Sequence, residues 1–146
     1  MKILVILLLT TLCACTTYGP HSIGAPAQPF TGPTLLDSAE LQRLADNQDF
    51  KRGVGDAKAQ ILVNNLELRS YGLIIESRSK SVYRRRLEKI LAYHGVQFAN
   101  PGCEFPPREE AIGYSHTVGA EILRRYGSDF WQRVDLQARA GPVSAP

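Results

Sequence analysis

The chain has 146 residues, with 17 basic and 14 acidic side chains and a net charge of +3 at pH 7. This near balance gives no electrostatic argument for nucleic-acid binding, which usually shows as a marked excess of Lys and Arg. The length allows one domain with a hydrophobic core but not comfortably two.

A short apolar segment opens the chain. Met1 and Lys2 precede an apolar run over residues 3–9, and polar residues and prolines follow Cys15. A helix that spans a bilayer needs roughly 20 apolar residues, whereas a shorter run behind a positive start is typical of a signal peptide. We therefore expect residues 1–14 to be a signal peptide.

The end of this segment resembles a bacterial lipobox. Leu12 is the branched apolar residue, Ala14 the small residue before the cleavage point, and Cys15 the cysteine to be modified. Cys13 matches less well as the modified residue because the bulky Leu12 stands directly before it. The resemblance implies cleavage after Ala14, a diacylglycerol thioether on the sulfur of Cys15 and usually an acyl chain on its new amino group.

Lipid on Cys15 implies a location. Two or more acyl chains hold a protein firmly on a membrane, whereas one chain does so marginally. Thr16, rather than aspartate, follows the cysteine. In lipoproteins of Gram-negative bacteria, a residue other than aspartate at this position implies export to the outer membrane, facing the periplasm. We expect a lipid-anchored bacterial envelope protein.

The chain after the signal peptide divides into three segments of different composition. Residues 15–33 combine the modified cysteine with an uncharged, Pro- and Gly-rich stretch, which predicts a flexible linker. Residues 34–139 are predicted to form a single globular domain, and residues 140–146 a disordered tail. Cleavage removes Lys2 from the 17 basic residues and none of the 14 acidic ones, which leaves a charge of about +2.

The domain is expected to be mainly α, with four to five helices. Gly72, Gly95 and Gly127 each follow an aromatic residue or histidine, and glycine is the commonest helix stop. The helix before Gly95 is the clearest, and the residues on its apolar half are Val82, Tyr83, Leu87, Ile90, Leu91 and His94.

Three further helices are expected. One begins near Pro106 and Pro107 and ends before Gly127, and we expect a neighbouring helix to approach it closely at Gly119. Its expected apolar face is Ala111, Ile112, Val118, Ile122, Leu123 and Tyr126. A shorter one is capped by Asp37 or Ser38, and another, after Ser128, offers Phe130, Trp131 and Val134 for packing.

An α+β fold is the rival interpretation. The stretches "GLIIES" and "GVQFAN" flank the clearest helix and would form the parallel strands of a βαβ unit around residues 72–99. The segment "DAKAQILVNNLELRSYG" fits neither the helical nor the strand period. "RGVGDAKA" is interpreted as a loop that leads into a helix capped by Asp56.

Cys103 is the one cysteine expected to remain as a thiol. A nucleophilic cysteine needs a base to form thiolate, and His94 and His116 are the candidate bases. No catalytic signature surrounds Cys103, so burial is the preferred interpretation, and pairing with a second chain or reactivity are the alternatives. The histidines and Cys103 also lack the short ligand pairs of zinc sites, and we expect no metal and no cofactor.

The strongest charge cluster, "RSKSVYRRRLEK", lies on the clearest helix. Arg84 and Arg85 are placed on its solvent side, and with Lys89 they form the candidate contact surface for an envelope protein or an anionic envelope polymer. The first functional hypothesis is therefore a non-catalytic envelope lipoprotein that acts through contacts. The alternatives are an envelope hydrolase or thiol enzyme that uses Cys103 with a histidine, and a domain that binds a small hydrophobic ligand in an apolar cavity.

Overall fold

The computed structural model describes residues 30–70, 82–99 and 105–140. These residues form five helices and two strands, so the predicted mainly helical fold is confirmed. None of the helices in the described ranges is long and apolar enough to cross a membrane. The elements in chain order are α1 (Ser38–Leu44), α2 (Gln48–Leu62), β1 (Leu66–Arg69), α3 (Val82–Tyr93), β2 (Val96–Ala99), α4 (Arg108–Tyr126) and α5 (Phe130–Ala140).

Strands β1 and β2 pair in parallel, and α3 lies between them in the chain. Leu66 lies beside Val96 and Arg69 beside Ala99, so β1, α3 and β2 form a βαβ unit. The strand expected at "GLIIES" lies outside the described residues, and the observed partner of β2 comes earlier in the chain. The segment "DAKAQILVNNLELRSYG", which contains β1, fitted neither period because it also contains the end of α2 at Leu62. A turn with Asn64 at φ 57° separates the helical part from the strand.

Helices α2 and α4 pack closely because each carries a glycine at their contact. A Cβ on Gly53 would overlap the carbonyl oxygen of Glu110, and one on Gly113 would overlap that of Phe50. The interpretation of "RGVGDAKA" as a loop was wrong: Asn47 caps α2 by accepting a hydrogen bond from the N–H of Phe50, and the helix runs through both glycines. Helix packing offsets the cost of glycine in a helix.

Glycines also end the two helices that the sequence outlined best. Gly95 has φ 70° after α3, and Gly127 has φ 93° after α4. Residues with a Cβ rarely adopt such positive φ values. Of the two expected caps, Asp37 and Ser38, it is Asp37 that caps α1, and it forms a reciprocal capping box with Glu40.

One continuous core joins all the described elements except α1. The buried side chains of this cluster are Ala57, Leu66, Leu68, Leu87, Leu91, Val96, Tyr114, Val118, Ile122, Phe130, Trp131, Val134 and Ala138. The expected packing residues of α5 are among them, whereas Val82, expected on the apolar half of α3, is 53% exposed. Val82 is the first residue of α3, where the helix has no preceding turn to cover it.

Residues 30–36, called the strap below, cross the domain before α1. The N–H of Phe30 donates to Oδ1 of Asp135 at 2.9 Å, and the N–H of Leu36 donates to Nδ1 of His116 at 3.1 Å. Gly119 therefore faces the strap rather than a helix, because a Cβ there would lie 3.2 Å from Pro33. Residues 30–33, assigned to the linker by composition, thus pack on the folded domain.

Candidate functional site

The residues of the thiol-enzyme hypothesis are only partly described. Cys15 and Cys103 lie outside the described residues, so the pairing of Cys103 with a histidine stays a prediction. His94 and His116 are both described, and each contacts a different part of the domain.

His94 lies among aromatic rings at the end of α3. Its ring centroid is 5.2 Å from those of Tyr126 and Phe130 and 5.4 Å from that of Tyr93. The hydroxyl of Tyr126 donates to the backbone carbonyl of His94 at 2.5 Å. These contacts join the end of α3 to the end of α4, which is a structural role.

His116 lies one turn before Gly119 and faces the strap. Its Nδ1 accepts the Leu36 N–H, and burial lowers the pKa of the imidazole, so the neutral form is favoured. Tyr126, which contacts His94, follows ten residues later on the same helix, a rise of about 15 Å. The two candidate bases therefore belong to different sites.

No group of three His, Cys, Asp or Glu side chains suited to a metal ion occurs within residues 30–70, 82–99 and 105–140. Several carboxylates of the described part are paired instead with arginines, as in the pair of Glu121 with Arg125 at 2.7 Å. Such pairs on a helix surface contribute modestly to stability.

The basic face of α3 differs from its expected form. Arg84 was placed toward solvent, but its guanidinium lies 4.2 Å above the ring of Phe98, and its Nε donates to Glu88 at 2.9 Å. Its long side chain reaches across to β2, which a helical wheel does not show. Arg85 and Lys89 are exposed one turn apart, and neither has an ion-pair partner among the residues that the structure describes.

An open groove of about 820 Å³ lies where the strands end. Its walls are the carboxyl ends of β1 and β2, the first half of α4 and the strap. Most of its surface is apolar, and its aromatic residues are Phe30, Phe98, Phe105 and Tyr114. A cavity of this size and composition is the usual form of a small-molecule site.

Three charged side chains are found among the described lining residues of the groove. Arg69 bonds Glu67 at 2.9 Å, lies 3.7 Å from Asp56 and stacks 3.8 Å above the ring of Tyr114. Arg108, the first residue of α4, is exposed and has no ion-pair partner within the described ranges. Among its described residues, the groove thus combines apolar walls with one cation, Arg108, that has no ion-pair partner.

A small hydrophobic ligand was one alternative interpretation of the sequence, but the sequence assigned no residue to a cavity for it. The groove draws on segments as distant as Phe30 and Val118, and no short motif links them. The aromatic residue Phe105 beside Pro106 is the one local feature of the sequence that could have indicated the groove. In the structure its side chain is exposed.

Searches of protein-family models, of curated proteins and of solved structures found no match to this chain.

Proposed function

We propose that this protein is a bacterial envelope lipoprotein, anchored in the outer membrane through lipid on Cys15 and facing the periplasm. It acts without catalysis, through contact with an envelope protein or an anionic envelope polymer. The observation that carries the proposal is the sequence Leu12, Cys13, Ala14 and Cys15 directly after a short apolar run.

The chain between the anchor and the domain suits such a role. Residues 16–29 are uncharged and include Pro20, Pro26 and Pro29. Fourteen residues span at most about 50 Å when extended and average about 20 Å as a flexible coil. Phe30, the first residue that the structure describes, is bound to Asp135, and a linker of this length before it would let the domain meet a partner away from its own lipid.

The outer face of α3 is the proposed contact surface. Arg85 and Lys89 lie at positions i and i+4, so their charges project from the same side of the helix. Because neither is neutralised by a described carboxylate, both are available to an anionic partner. Arg84 supports this surface from beneath through its contacts with Glu88 and Phe98.

The anchor is tested by labelling cells with radioactive palmitate and comparing two cysteine variants. Cys15→Ser should give an unprocessed precursor without label, because the thioether cannot form. Cys13→Ser is the matched control, since the change is the same two residues earlier, and it should remain labelled. Label on the Cys15→Ser protein, or its loss from the Cys13→Ser protein alone, would refute the assignment.

A further inference from the structure

We infer that the groove binds a long-chain monocarboxylate, with the apolar chain between the strap and α4 and the carboxylate on the guanidinium of Arg108. This binding site is independent of the proposed anchor and of the contact surface on α3. The inference depends on the shape, lining and charge of the groove.

The lining selects an apolar body. The strap contributes Phe30, Pro33 and Leu36, the strands contribute Leu68 and Phe98, and α4 contributes Ala111, Ile112 and Val118. Phe105 at the same groove is 68% exposed, so an apolar ligand would remove a large aromatic surface from water. Burial of apolar surface contributes about 25 cal/mol per Å².

The charges select a single anionic group. Arg69 neutralises Glu67 and also lies near Asp56. Glu67 therefore does not attract a cation, and Arg69 is not available to bind an anion. Glu109 and Glu110 in the first turn of α4 do not line the groove, and Glu110 is bound by Arg52 at 3.1 Å. Among the described lining residues, Arg108 therefore gives the groove a net positive charge.

The start of α4 strengthens this preference. Arg108 is the first residue of a helix of 19 residues, and Pro107 before it makes no side-chain hydrogen bond to the helix. The amino end of a helix carries a partial positive charge. A carboxylate at Arg108 would be placed next to that end, whereas a neutral polar head would gain little from either group.

The test uses 11-(dansylamino)undecanoic acid and its methyl ester, which share the apolar chain and the dansyl group, while the ester replaces the negative charge with a methyl group. Residues 16–146, the chain after the proposed lipid-bearing Cys15, keep every residue that the structure describes. Trp131 is the one tryptophan of the chain, and its ring centroid is 5.7 Å from that of Phe30 at the groove wall. Dansyl emission excited through Trp131 therefore reports occupancy.

We expect saturable binding of the acid and weaker binding of the ester. Arg108→Gln should weaken the acid about tenfold, the size of one lost charged hydrogen bond, and leave the ester unchanged. Lys58→Gln, which removes an equally exposed charge from α2, is the matched control and should change neither.

Blocking the groove should affect both probes. Ser115→Phe inserts a ring at a half-buried lining position and should reduce binding of acid and ester at least tenfold, whereas Ala59→Phe on the exposed side of α2 should not. Circular dichroism checks that each variant folds. Thr34→Phe, at an exposed groove position on the strap, gives the same test if Ser115→Phe does not fold.

Several outcomes would overturn the inference. One is equal affinity for acid and ester, and another is binding that is insensitive to the groove-filling variants. Displacement of the probe by a peptide copy of residues 16–29, but not by unlabelled palmitate, would assign the groove to the linker of the chain itself. A dimer that excludes the probe would assign it to a second copy.

Discussion

Oδ1 of Asp135 accepts a hydrogen bond from the backbone N–H of Phe30, 105 residues earlier in the chain. The same oxygen accepts from the hydroxyl of Tyr83 at 2.5 Å, and the other carboxylate oxygen binds Arg139 at 2.8 Å. Asp135 is only 8% exposed, so one buried carboxylate holds together the strap, α3 and α5. The position of Phe30, and with it a wall of the groove, depends on this carboxylate.

Removal of this carboxylate should destabilise the domain. We expect Asp135→Ala to lower the free energy of unfolding by about 1–3 kcal/mol, because the Tyr83 hydroxyl and the Phe30 N–H lose their shared acceptor. Urea unfolding followed by circular dichroism measures the change. Asp46→Ala is the control: its side chain is fully exposed beside Lys51, and its loss should cost less than about 0.5 kcal/mol. Equal effects of the two variants would contradict the assigned role.

The same carboxylate predicts a loss of stability in acid. The hydrogen bond from Arg139 is the main reason that the pKa of Asp135 falls to about 2 from its usual 3.8. A lowered pKa in the folded state stabilises the protein above the unfolded value, and this contribution disappears as pH falls from about 4 to about 2. Its size is on the order of 2 kcal/mol.

Asp135→Asn should therefore flatten, but not abolish, the dependence of unfolding free energy on pH in that window. Part of it remains because hydrogen bonds from Arg124 and Arg125 also lower the pKa of Glu121 to about 2. Urea midpoints at pH 5, 4 and 3 give the comparison. Parallel curves for the variant and the natural chain would show that Asp135 is not the titrating group.

Glycines within α2 should respond in opposite directions to alanine. Gly53→Ala places a methyl group against the carbonyl of Glu110 and should destabilise the domain by about 1–3 kcal/mol. Gly55→Ala, two residues later, meets nothing within 4 Å and should stabilise it by up to about 1 kcal/mol through helix propensity. Thermal unfolding of the two variants tests the close α2–α4 contact, and the same sign of change in both would contradict it.

Charge reversal on α3 tests the contact surface. The double variant Arg85→Glu and Lys89→Glu should keep its fold and its lipid anchor, because both side chains are exposed and unpaired among the described residues, but lose its crosslinks to envelope components. The control is Arg43→Glu with Lys58→Glu, the same change of charge on α1 and α2. Crosslinking in intact cells followed by affinity purification gives the measurement. An unchanged set of crosslinked species would locate the contact elsewhere.

Local signals explain which parts of the fold the sequence predicted. Asp37, Gly95 and Gly127 each act at the end of a single helix, so their residue types alone identify them as helix ends. Helix α3 follows from the spacing of Leu87 and Leu91, which are both buried.

Long-range contacts explain what the sequence did not predict. The close approach of α4 at Gly53 and the contact of Arg84 with Phe98 of β2 each depend on a second element, which the local sequence does not identify. The groove has the same origin, since Arg69 and Arg108 belong to elements that only the tertiary fold brings together. The pairing of β1 with β2 likewise joins residues about 30 positions apart, such as Leu66 and Val96.

Mass spectrometry of the protein purified from its native membrane tests the central proposal most directly. We expect an amino-terminal peptide that begins at Cys15 and carries the mass of a diacylglycerol thioether, with or without a further acyl chain on its amino group. A peptide that begins at Met1, or that contains residue 15 as a free thiol, would contradict it.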